Sequence, residues 1–172
     1  WPISVDSVAT LFAALACISA RVALEIRHFV RMRALTDSES GLPNRMMLEK
    51  ALAQKGEGTS PIVVAAAIGR FDAIRDGIGI EATSEMIRHT ATLVSAYVPA
   101  PVYRIAPDTL AWLQPDGDDH LVQARLELID LALRHPVETV AGPVDVALTM
   151  GLDRDAGHDA TVLRIERALA AV

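Results

Sequence analysis

Cysteine is nearly absent: a lone Cys17 in 172 residues cannot close an internal disulfide and has no Cys or His neighbour at zinc-binding spacing. It reads as a small packing residue, consistent with a reducing, cytoplasmic setting. A basic excess is also missing. Sixteen Lys and Arg against 22 Asp and Glu give a formal net charge of −6, so binding to a phosphate backbone, which needs a basic face, is excluded as the main activity and no nucleic-acid partner is expected. The five histidines form no H-E-x-x-H or other ligand spacing, and no G-x-S-x-G, P-loop or Cys/His pair announces another enzyme. Internal repeats and low-complexity tracts are absent too.

A long apolar run is also lacking. Ser7 to Ala20 (SVATLFAALACISA) is uncharged and mostly apolar, but as a helix it spans only about 21 Å of a hydrocarbon core of about 30 Å. Lengthening it to a full span, as over residues 7–26, takes in Arg21, or Asp6 on the other side. Arg21, Arg27, His28, Arg31 and Arg33 follow, the basic excess of a helix that leaves a bilayer on the cytoplasmic side. Two readings stand: the end of a membrane span, or a soluble amphipathic signalling stalk. A signal peptide fits less well, because the positive charges follow the apolar run. The chain opens at Trp1 without an initiator methionine, which reads as a fragment whose flanks lie elsewhere.

What is present is a hydrophobic content of 51%, enough for one domain with a real core plus an appended segment. We place the segment at 1–35 and the domain at 36–172. Val22, Ile26 and Phe29 are spaced as a short coiled-coil seam. Gly41 and Pro43 then break the helix, and Asn44 is placed to cap a new one from Arg45 to about Gln54. Lys55 to Pro61 is a polar loop. Ile62 to Ile68 (IVVAAAI) reads as a buried strand, followed by a helix from Phe71 to about Ile78 and another from Ser84 to Val98 with Met86, Ile87, Thr90, Ala91, Val94, Tyr97 and Val98 on one face. Val102–Ile105 and Thr109–Gln114 form a hairpin through Pro107 and Asp108. Asp119 to Arg134 is a helix with Val122, Leu126, Ile129 and Leu133 inward. Val137–Val140 and Val144–Gly151 read as a second hairpin about Gly142 and Pro143. A last helix from about Asp159 carries Val162, Ile165, Leu169 and Val172. The fold class is α+β, with helices flanking an antiparallel-rich central sheet.

Two stretches carry a family resemblance. Thr36 to Arg45 (TDSESGLPNR) resembles D-x-L-T-G-L-P-N-R, with Asp37, Gly41, Leu42, Pro43, Asn44 and Arg45 matching, Glu39 where a Leu is usual and Ser40 where a Thr is usual. Arg104 to Leu110 (RIAPDTL) sits in the first hairpin. On these the domain resembles the GGDEF (diguanylate cyclase) family, as a degenerate member, and the order of elements is similar from about Ala34 to Val172. Gly151 and the closing helix, LRIERAL from Leu163, also fit the pattern.

The resemblance implies a chemistry against which the residues can be read. Joining two GTP molecules requires a ribose hydroxyl to attack an α-phosphate, with magnesium ions held between carboxylates on adjacent strands. The family's D-x-D-x-F-K-x-I-N-D-x-x-G-H-x-x-G-D is in register with Ala67 to Ser84, where Phe71, Ile74, Asp76 and Gly79 match. Ala67 stands for the first metal-binding Asp and Thr109 for an acid of the naming motif, which leaves Asp108 as the residual metal candidate. Asp72 replaces a phosphate-contacting Lys and would repel a triphosphate. Arg75 and Ser84 replace the Asn and Asp that accept from guanine; an Arg only donates. Ala106 and Pro107 replace the two turn glycines, and Pro removes an amide donor. Tyr97 and Ala100 occupy the charged positions of the product-inhibition motif, so feedback through it is not expected. Asp76 and Asp108 are the residual nucleotide candidates; bland readings make them a local cap and a hairpin-turn residue.

These substitutions imply a catalytically inactive regulatory and dimerisation domain of a cyclic-di-GMP signalling protein. It would relay a signal from the N-terminal helix, by way of a homodimer, to an output domain, for which the resemblance implies an EAL phosphodiesterase. No cofactor is expected, with magnesium and GTP only where residual binding survives. An allosteric GTP-binding module is the alternative, and an active cyclase a more distant one. The setting implied is the cytoplasmic side of an inner-membrane-anchored protein.

Overall fold

A computed structural model describes residues 15, 17–25, 34–54, 61–115, 118–154 and 161–172. The chain divides into two compact units, Trp1–Ala34 and Leu35–Val172. In the first, residues 17–25 are helical and exposed, with Arg21 and Glu25 paired one turn apart at 3.5 Å. Most of the apolar run, and Ile26 and Phe29 of the seam, lie outside the described residues. Among those described, no helix is long and apolar enough to cross a membrane.

The second unit is built on a four-stranded antiparallel sheet in the order β2 (Tyr103–Ala106), β3 (Thr109–Gln114), β1 (Ile62–Ile68), β6 (Leu148–Asp153). Its centre is β1, paired to β3 on one side and β6 on the other. Strand side chains alternate between faces, yet β1 is apolar throughout because both faces are covered. Ile62, Val64, Ala66 and Ile68 pack with Trp112 under α2 (Phe71–Ser95) and α3 (Asp119–Ala132). Val63 and Ala65 pack under α1 (Arg45–Ala53) and α4 (Thr161–Ala170), against Leu48, Leu52, Ile165 and Ala168. Each fully buried Val, Leu or Ile contributes roughly 1.5–3 kcal/mol.

Local sequence sets the ends. The Asn44 side chain accepts from the Met47 amide at 3.2 Å and opens α1 as the capping pattern requires. The two helices expected between Phe71 and Val98 are both present within α2, where a kink at the non-helical backbone of Gly79 (φ 81°, ψ 172°) separates them. The hydroxyls of Thr83 and Ser84 donate to the carbonyls of Gly79 and Ile80, at 2.7 and 2.8 Å, just beyond that kink.

Several expectations need correction. Cys17, read as a packing residue, is exposed. Tyr97 lies past the end of α2 and is exposed. The second hairpin is shorter than expected: β4 (Val137–Thr139) pairs with β5 (Gly142–Val144), and β6 is a separate strand of the main sheet. Gly142 and Pro143 therefore lie in the strand, facing Thr139 and Glu138, and the turn falls at Val140–Ala141. On α4 the buried residues are Arg164, Ile165 and Ala168, whereas Val162 and Val172 are exposed. A buried ion pair turns the helix: Arg164 meets Asp153 of β6 at 2.9 Å and donates to the Pro61 carbonyl.

Candidate functional site

β2 (Tyr103–Ala106) and β3 form the hairpin whose turn bears the candidate residues. Ala67 of β1 stands directly opposite Thr109 of β3. The two positions that would supply facing carboxylates thus hold a methyl group and a buried hydroxyl. The Asp108 carboxylate accepts from the Thr109 hydroxyl at 2.9 Å, and its backbone carbonyl accepts from the Ile68 amide at 2.8 Å. Among the described residues no group of three His, Cys, Asp or Glu side chains is placed to hold a metal ion.

The turn itself is filled from within. The Pro107 carbonyl accepts from Nε and Nη2 of Arg104, at 3.1 and 2.7 Å. Neither Ala106 nor Pro107 adopts positive φ, so the turn does not use the backbone freedom that glycines would give it. A one-residue irregularity between Arg104 and Ala106 shifts the β2–β3 register just before it.

Arg104 organises the neighbouring cavity, about 630 Å³ in volume and lined by residues that include Glu39, Arg75, Arg104 and Pro107. Its side chain is only 3% exposed and reaches Asp37 at 2.6 Å and Glu39 at 3.0 Å. Its amide donates to the Pro43 carbonyl at 2.8 Å, stitching the entry segment to β2. Within that segment the Ser40 amide and hydroxyl donate to Asp37 Oδ1, at 2.8 and 2.7 Å. Burial pushes the Asp37 carboxyl up, but the two Ser40 bonds and the Arg104 guanidinium together outweigh it and hold its pKa below the ordinary aspartate value. Glu39 is shared with Arg75 of α2, at 3.4 Å.

The structure thus brings Ala67, Thr109 and Asp108 together at one end of the β1–β3 pair, and places Ala106, Pro107 and Arg75 on the cavity. Asp72, Asp76 and Ser84 do not line it. Asp76 lies inside α2, exposed, and caps nothing, contrary to the bland reading of it. Asp72 is an exposed acid in the first turn of α2, where it complements the helix dipole. The polar network on Arg104 has no periodic signature in the sequence. Its signal was an Arg in an otherwise apolar strand, together with an acid at Glu39 where an apolar residue is usual.

Neither a protein-family model nor a curated protein matches the sequence. Solved structures do. The coiled coil and GGDEF domain of DgcB from Caulobacter crescentus, in complex with c-di-GMP, is 26% identical with a TM-score of 0.73, covering 94% of this chain and 92% of that one. Diguanylate cyclase SiaD from Pseudomonas aeruginosa, in complex with its activator SiaC, is 18% identical with a TM-score of 0.69, covering 95% of this chain and 67% of that one. The GGDEF domain of FimX from Pseudomonas aeruginosa is 18% identical with a TM-score of 0.67, covering 80% and 90%. The fold is that of the GGDEF domains. The architecture implied by the entry motif and the order of elements is the one observed.

Proposed function

We propose that this GGDEF domain is a non-catalytic regulatory module of a cyclic-di-GMP signalling protein, which works through protein contacts instead of nucleotide chemistry. The reading rests on one observation above all: Ala67 and Thr109 face each other across β1 and β3, at the positions from which a pair of carboxylates would have to hold magnesium. Asp108 alone cannot bridge two ions. Three further features support the reading. Asp72 puts a negative charge where a triphosphate would need a positive one, Arg75 cannot accept from guanine, and Pro107 offers a phosphate no amide donor. The residues present do not fit a pair of magnesium ions.

Partners are proposed on the same footing. The similar DgcB structure includes a coiled coil, and SiaD is bound to an activator protein. The coiled coil suits a homodimer through the N-terminal helix, and the bound activator suits a protein partner; an adjoining output domain of the EAL type and a place on the cytoplasmic side of a membrane follow from the family resemblance alone. Incubation with GTP and magnesium, followed by an assay for cyclic-di-GMP, tests the catalytic half of this reading. No product is expected; turnover would refute it.

A further inference from the structure

Two positions that depart from the GGDEF pattern, Glu39 and Arg75, are 36 residues apart in sequence yet meet across the cavity at 3.4 Å. One belongs to the turn of the entry segment and the other to the first part of α2, before the kink at Gly79. We propose that Glu39 and Arg75 form an ionic latch that fastens the entry turn to the first two turns of α2, with Gly79 as the hinge on which that part of the helix moves when the latch opens.

The geometry separates a fixed anchor from a releasable one. Asp37 is held by the buried Arg104 at 2.6 Å and by two bonds from Ser40, so the base of the turn stays in place. Glu39 extends from that base, with one carboxylate oxygen on Arg104 at 3.0 Å and the other on Arg75. The outer pair is long and single-pointed, and its side chains are 34% and 37% exposed. Water and salt compete for such a pair, so it opens at low cost. Gly79, at φ 81°, interrupts the helical backbone on the far side of Arg75, and the Thr83 and Ser84 hydroxyls bond the carbonyls there. Phe71 and Ile74 seat the start of the helix on the same core as Met86, Ile87 and Val94, so the part that shifts is the more exposed stretch from Arg75 to the kink. The cavity is lined from both sides of the latch, and opening would widen it.

The inference goes beyond the regulatory reading and needs no nucleotide. Hydrogen exchange by mass spectrometry on the whole chain tests it, in the wild type, Glu39→Gln, Arg75→Gln and the double variant, each with and without 1 M sodium chloride. Each single variant should raise exchange about two- to fivefold at both amides 38–42 and amides 72–78, as expected for loss of an exposed ion pair. The double variant should exchange no faster than Glu39→Gln, which also gives up its ionic contact with Arg104, and salt should speed exchange at amides 72–78 in the wild type alone. Effects that multiply in the double variant, a wild type insensitive to salt, or a response confined to one of the two segments would overturn the latch. Failure here leaves the GTP assay untouched, and turnover of GTP leaves this result untouched.

Discussion

Asp37 matches the family motif, yet its observed work is structural: it orders the entry turn through Ser40 and receives the buried Arg104. Because its folded pKa lies below the unfolded value of 3.8, the unfolded chain takes up this proton first as pH falls. The stability it contributes is complete above about pH 4 and is lost as pH drops through the lowered folded value. Asp37→Asn should therefore flatten the acid limb of stability measured by urea unfolding between pH 5 and 2.5. An unchanged acid limb would show that the carboxylate is not coupled to folding. Asp153 is a second residue with a hidden role. It is 6% exposed and takes Arg164 and Arg167 on separate oxygens, at 2.9 Å each. Asp153→Ala strands the buried Arg164 and should cost roughly 3–5 kcal/mol. Urea unfolding at pH 7 checks this, and a loss below about 1 kcal/mol would contradict it.

At the scale of elements, α4 lies so close to β6 that a side chain at Gly151 would run into the Ala168 carbonyl and the Val172 side chain. Gly151→Ala should destabilise by roughly 1–3 kcal/mol, seen as a lower midpoint of thermal unfolding; an unchanged midpoint would mean that α4 yields freely. Elements were legible wherever one simple signal dominated. The β1 run was apolar on both faces, α3 repeated Val122, Leu126, Ile129 and Leu133, and Asn44 preceded a helix. The misreadings share a cause, which is tertiary context. Pro143 looked like a turn residue, but a two-stranded hairpin tolerates it because both of its strands are edges. On α4, Val162 and Val172 made a plausible face until the Arg164–Asp153 pair set the rotation of the helix. Ion pairs between residues far apart in sequence leave no periodicity to read. The cavity was missed for the same reason, since Asp37, Glu39, Arg75 and Arg104 converge only in three dimensions.

For the whole molecule, the proposed reading separates fold from function. The sheet, the flanking helices and the entry segment reproduce a GGDEF domain, while the positions that would carry its chemistry hold Ala67, Thr109, Ala106 and Pro107. The scaffold survives such changes because it rests on the two apolar layers and on the buried Arg164–Asp153 pair, remote from that turn. Absence of nucleotide chemistry is therefore compatible with full stability, and a folded, non-binding module is the expected state. Calorimetric titration of the protein with GTP in the presence of magnesium tests this most directly. The account predicts no saturable binding. Micromolar, magnesium-dependent binding that disappears in Asp108→Ala would contradict it.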